Sequence, residues 1–177
     1  MKTIIAVSVV LCYCVVVAQA QDSFTAFGST VMYARPDPSR WNLVHNGIDS
    51  KSNAYLLMFQ RKPIKDAEGR AIEPVIAVIC EKVADASDVI RYSIAKRMRM
   101  PFSVKKMMAP QSSDFAYGNA IGYEGEYTIE SVPHKVFVAH MRHKEVGVQV
   151  ICDSTDGVFD KVEGDMRNFL RSLTFKD

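Results

Sequence analysis

Histidines, closely spaced glutamates and a cysteine pair are the residues of this sequence most able to do chemistry. His134 and His140 lie six residues apart in a segment that reads as a strand. They share a face there but stand roughly 20 Å from each other, too far to hold one metal ion. His140 and His143 are three apart and point to opposite faces, and no Cys, Asp or Glu is spaced beside them in a zinc pattern. The histidines therefore read as surface or rim residues, with no metal or cofactor assigned. Glu124 and Glu126 occupy i and i+2, which places their Cα atoms ~7 Å apart, a geometry open to paired acid and base work. The same alternation describes a solvated strand face balanced by cations across the strand, with Lys135 and Arg142 as partners. The solvated face is the stronger reading.

Nucleophile motifs are missing. No Gly-x-Ser-x-Gly occurs, and Ser112 and Ser113 have no base beside them. Gly118, Gly122 and Gly125 fall within an alternating strand and read as sites of twist, bulge or close packing rather than a phosphate loop. Cys80 and Cys152 lie in apolar, strand-like runs. A bridge between them would close a long loop and contribute roughly 4 kcal/mol. Each is equally readable as a small buried hydrophobe.

Charge supplies a different kind of candidate. Lys96, Arg97, Arg99, Lys105 and Lys106 fall within eleven residues that contain no Asp or Glu, in a chain whose formal net charge is only +2. Such a segment can steer an acidic partner or anionic headgroups. It can equally solvate a surface and complement the C-terminus of a helix. Met98, Met100, Met107 and Met108 surround these charges, either as an adaptable contact surface or as fillers of core gaps. The near-neutral chain carries no basic motif for nucleic acid.

These residues must be held by one ordinary globular domain: 177 residues, 48% hydrophobic and 24% charged, is neither a disordered nor a disulfide-dense composition. Met1 to Ala20 reads as a signal peptide, with Lys2, an apolar run from Ile4 to Val17, and Ala18-Gln19-Ala20 as the cleavage pattern. Cleavage before Gln21 leaves residues 21–177, a disulfide-permissive location and no membrane span. Tyr13 before Cys14 argues against lipidation at that cysteine.

Within 21–177, the turn at Arg35 to Arg40 opens a strand at Trp41, and strands are expected at Ala54 to Arg61 and Pro74 to Val83. Both of the latter are apolar on successive residues, which calls for cover on both faces. Asp85 is the expected cap of a helix running to about Met100, with Ile90, Ile94 and Met98 as its core stripe. Phe102 to Met107 is a further strand. Next, Ile121, Tyr123, Tyr127 and Ile129 alternate with Glu124, Glu126, Thr128 and Glu130, giving a strand with one wet face. Lys135 to His143 turns through Lys144 to Gly147 into Val148 to Cys152. A closing helix, capped at Asp156, carries Phe159, Val162, Met166, Phe169, Leu170 and Leu173 on one stripe. Neighbouring strands with few helices predict an α+β fold built on an antiparallel sheet.

The turn and Trp at Pro36 to Trp41, the Tyr-rich strand at Gly118 to Ile129, and the hairpin and helix ending Phe169-Leu170-Arg171-Ser172-Leu173-Thr174-Phe175 resemble the PsbP-like group. That group includes the extrinsic photosystem II subunit and a Ran-binding, Mog-type relative. The resemblance implies an antiparallel sheet layered with helices in an α/β/α sandwich, and a tendency to bind partners rather than catalyse. The expected function is a secreted or periplasmic, non-catalytic accessory module. Its partner, an unidentified protein or acidic surface, would meet Lys96 to Lys106 and the Glu124 to Glu130 face. Two alternatives stay open: a small hydrolase using Glu124, Glu126 or the His140 region, and a small-ligand carrier with a pocket between sheet and helix near Trp41, Tyr123 and Tyr127.

Overall fold

In a computed structural model, residues 21–84 and 88–176 are described; the expected signal segment and the expected cap at Asp85 lie outside them. In chain order the elements are β1 (Gln21–Ala26), β2 (Ser29–Ala34), β3 (Trp41–Ile48), β4 (Tyr55–Arg61), β5 (Ile64–Lys65), β6 (Ala71–Ile72) and β7 (Val75–Lys82). They continue with α1 (Val89–Arg97), β8 (Ser103–Met108), β9 (Ala120–Ile129), β10 (Val132–His143), β11 (Val146–Thr155), α2 (Asp156–Phe159), α3 (Glu163–Ser172) and β12 (Thr174–Lys176).

Seven strands form one antiparallel sheet in the order β3-β4-β7-β11-β10-β9-β8. A three-stranded sheet, β1-β2-β12, joins the two ends of the described chain. Because side chains alternate along a strand, the register defines two faces of the large sheet. The inner face carries Leu57, Phe59, Ile76, Val78, Val148, Val150, Phe137, Ala139 and Met141, all buried. Onto it pack Phe24, Val31 and Tyr33 of the small sheet and Met166, Phe169, Leu170 and Leu173 from the C-terminal helical region. Ring contacts knit the layers, with Tyr33, Phe59 and Phe169 mutually 5.7 to 5.9 Å apart. Each such side chain contributes roughly 1.5–3 kcal/mol by leaving water. The outer face carries Val136, Val138 and His140, covered by α1 and by Phe102.

Several expectations are corrected. Double cover falls on β10, where all eight residues from Val136 to His143 are buried, rather than on β4 and β7. In β7 the outward residues Val75, Ala77 and Ile79 are only half-buried, while α1 lies mainly over β10 and β9. The closing helix is split into α2 and α3, although its stripe is buried as expected. Asp156 does not cap it; the residue sits in the first turn of α2 and pairs with Lys135 at 2.7 Å. Cys80 and Cys152 are free buried thiols. Cys80 lies opposite Val148 on β11, four residues from Cys152, a separation of ~13 Å that no bridge spans.

Of the three glycines expected in one strand, Gly122 and Gly125 lie in β9 and are sites of close packing, while Gly118 precedes the strand. A Cβ on Gly125 would enter the ring of Phe102 and lie 2.8 Å from the Ser103 carbonyl oxygen, whereas one on Gly118 would meet only Gln111 Cγ at 3.7 Å. Gly125→Ala is therefore expected to cost about 1–3 kcal/mol in urea unfolding, and Gly118→Ala less than about 0.5 kcal/mol. Equal costs would contradict the packing of Phe102 on β9.

Candidate functional site

Helix α1 starts where Asp88 accepts a hydrogen bond from the Arg91 backbone N–H at 2.8 Å. It lies across β10 and β9, and what those strands present decides which side it turns inward. Gly147 on β11 leaves room for the Tyr92 ring, which sits 2.6 Å from where a Cβ would be. Beside it, the Ser93 hydroxyl bridges Tyr123 Oη at 2.7 Å and His140 Nδ1 at 2.9 Å. Tyr92 meets the His140 ring edge-on, 5.8 Å between centroids. The inward side of α1 thus carries the aromatic Tyr92 and the polar Ser93, with Val89 buried at its start.

The expected core stripe faces solvent instead: Ile90 is 52% exposed, Ile94 54% and Met98 83%. Two more large apolar side chains stand on the same side of the sheet. Met107 of β8 lies opposite Tyr123, which touches α1, and Val104 lies opposite Gly125, which carries Phe102; they are 62% and 42% exposed. Of the clustered methionines, only Met108 is fully buried; Met100 is half-buried and accepts from Gln149 at 3.0 Å.

His140 is a core residue, not a rim residue. It has no exposure, its Nε2 has no partner among the described residues, and burial, with Lys96 nearby, pulls its pKa down to about 4.

The basic segment is largely neutralised from within. Lys96 pairs with Glu81 of β7, Lys105 with Glu126 at 2.9 Å and Lys106 with Glu124 at 3.3 Å. Glu124 also receives Arg167 of α3 at 3.1 Å. The expected wet face lies on the inner side of the sheet, where Glu124 is half-buried beside α3 while Glu126, Thr128 and Glu130 are exposed. The expected cross-strand cations are used elsewhere, since Lys135 pairs with Asp156 and Arg142 donates to the Ala84 carbonyl at 2.9 Å. The Arg97 guanidinium caps the helix exit by donating to the carbonyls of Met100 and Phe102, and lies 4.1 Å from the Phe102 ring centre. Arg99, with Arg91, which composition did not single out, is exposed and has no carboxylate partner among the described residues.

The residues considered for catalysis do not converge. Glu124 and Glu126 project from the inner side, His140 from the outer. His134 is held by Asp153, with Nδ1 3.2 Å from both carboxylate oxygens, and stacks on Tyr127 at 5.0 Å. Burial, then Asp153, raises the Tyr127 phenol pKa. His143 faces inward, stacked on Phe175 at 4.5 Å. Among the described residues no three metal-ligating side chains gather. Trp41 lies on the inner side, donating to Asp165 at 3.0 Å, so it shares no pocket with Tyr123 and Tyr127. A groove of about 610 Å³ does open beside Tyr127, lined by Phe102, Lys105, His134 and Lys135 among others.

No protein-family profile matches this sequence, and no curated protein matches it by sequence. Its shape is similar to that of LpqN, a protein of Mycobacterium tuberculosis involved in cell envelope biogenesis. The TM-score is 0.60 at 13% identity, over 89% of this chain and 91% of that one. The likeness is one of fold. Among the described residues no helix is long and apolar enough to cross a membrane.

His140 gives the site a pH signature. Its unfolded value is 6.5 and its folded value about 4, so between those limits the unfolded chain binds more protons and stability falls as pH falls. The loss approaches about 1.4 kcal/mol per pH unit and totals about 3 kcal/mol by pH 4. His140→Asn should flatten the curve of stability against pH by that amount between pH 6.5 and 4. Parallel curves for parent and variant would contradict the buried neutral imidazole.

Proposed function

We propose that this chain is a secreted or periplasmic, non-catalytic accessory module of the cell envelope, and that α1 and the neighbouring strand β8 form its contact surface. One observation carries the reading. Five of the protein's exposed large apolar side chains, Ile90, Ile94, Met98, Val104 and Met107, stand on this one side of the sheet, where a monomer gains nothing from exposing them. The envelope setting is supported by the fold shared with LpqN and by the sequence of Met1 to Ala20. Kinship with the PsbP-like group belongs to the same proposal; the seven-stranded antiparallel sheet speaks for it, although its inner face is covered by a three-stranded sheet as well as by helices. Its partner is an unidentified protein or acidic surface.

The small-ligand carrier is the second reading, favoured by the groove beside Tyr127. A small molecule co-purifying with the protein in native mass spectrometry, and lost on His134→Ala, would support it; none in either would count against it. For the hydrolase alternative, Glu124, Glu126 and His140 share no cleft.

The interaction reading is tested by placing a photoreactive benzophenone side chain at Ile94, at Met107 or at Ile48, an exposed residue on the opposite edge of the sheet. In the secreting cell, adducts are expected at 94 and 107 and not at 48. Adducts at none of the three, or equally at all three, would overturn the assignment.

A further inference from the structure

The α1 surface has a chemistry more specific than "apolar". Successive helical residues are 100° apart, so Ile90, Ile94, Met98 and Arg91 fall within an arc of about 100°. Arg91 and Arg99 line one groove on the flank of α1 toward β7, with Glu81, Tyr92 and Lys96, while Val104 and Met107 extend the apolar side onto β8. The sorting of the cations is informative. All three lysines of the segment, Lys96, Lys105 and Lys106, are neutralised by glutamates. The exposed guanidinium groups of Arg91 and Arg99 have no carboxylate among the described residues, and Arg97 is occupied by its own loop. What remains displayed is therefore a row of aliphatic tips beside two arginines.

Deepening the reading above, and resting on it, we propose that this surface seats the protein on an anionic phospholipid bilayer. Isoleucine and methionine tips would enter the boundary between headgroups and acyl chains, while Arg91 and Arg99 hold lipid phosphates. Charge complementarity favours this occupant, because a guanidinium binds phosphate in a bidentate fork. Met98, at 83% exposed, stands up from the surface as an inserting side chain must. A protein adding a strand at β8 is disfavoured, because Lys105 and Lys106 sit on that edge and edge lysines discourage strand addition. The tie between Arg97 and Phe102 fixes the end of α1 against the start of β8, so both halves of the surface are held in register before contact.

Co-sedimentation with vesicles tests the proposal directly, comparing phosphatidylcholine alone with phosphatidylcholine containing one third phosphatidylglycerol. The protein should bind the anionic vesicles, and binding should weaken with added salt. Arg91→Glu with Arg99→Glu should lower it about tenfold or more, and Ile94→Asp with Met98→Asp to a similar degree. Emission from Trp41, the sole tryptophan, which is buried on the inner side, should stay unchanged in both double variants and so report intact folding. Binding to neither vesicle, equal binding to both, or full binding by the arginine variant would overturn the bilayer as partner. A dimer in solution that dissolves on Ile94→Asp, without vesicle binding, would assign the surface to a second copy and overturn it too. Benzophenone adducts to a protein at position 94, again without vesicle binding, would sink the bilayer while leaving the interaction module standing.

Discussion

A polar group buried where a sheet is covered on both faces can find a partner only inside the protein, and that constraint organises this structure. β10 is buried on every residue from Val136 to His143, and His140 sits at the centre of its outer face. An imidazole there loses water and needs a hydrogen bond; leaving it unmade costs on the order of 1–3 kcal/mol. Ser93 supplies it at Nδ1, and Tyr123 completes the bridge through the same hydroxyl, while Nε2 has no partner among the described residues. To bring Ser93 there, α1 lays the side carrying Tyr92 and Ser93 on the sheet. The helix has one other side, and Ile90, Ile94 and Met98 are on it.

The remaining features of the surface follow from that orientation. Lys96, next to the inward side, reaches Glu81 on β7 and lies 5.6 Å above the Tyr92 ring. Arg97, on the flank, turns back onto Phe102, and the close fit of Phe102 over Gly125 sets where β8 begins. From there a bulge between Val104 and Lys106 sends the two lysines toward Glu124 and Glu126, while Val104 and Met107 remain on the side of α1. Exposed pairs of this kind add little stability. Their larger effect is to offset the lysine charge and leave Arg91 and Arg99 without a carboxylate among the described residues.

Much of the scaffold was legible in the sequence. The runs at Ala54 to Arg61 and Pro74 to Val83, the alternation of Ile121 to Glu130, the hairpin after His143 and the stripe from Phe159 to Leu173 all report local periodicity, and local periodicity survives folding. The orientation of α1 was not legible. A period of 3.6 identifies an apolar face, but assigning it to the core assumes that the facing sheet is apolar, and here it holds His140 and Tyr123. The pairing of Lys105 and Lys106 was hidden for a second reason: it depends on a bulge that shifts the register by one residue. The small sheet β1-β2-β12 was hidden for a third, since it joins segments more than a hundred residues apart.

Thiol reactivity at two adjacent positions tests the inverted helix most directly. In residues 21–177 the two cysteines, Cys80 and Cys152, are buried, so this form of the parent protein should react slowly with a maleimide while folded. Ile94→Cys should label at close to the rate of an exposed peptide thiol, and Ser93→Cys should be protected until the protein unfolds. Rapid labelling at 93 with protection at 94 would mean that the apolar stripe faces the sheet, and the account of both the His140 cluster and the outer surface would fall with it.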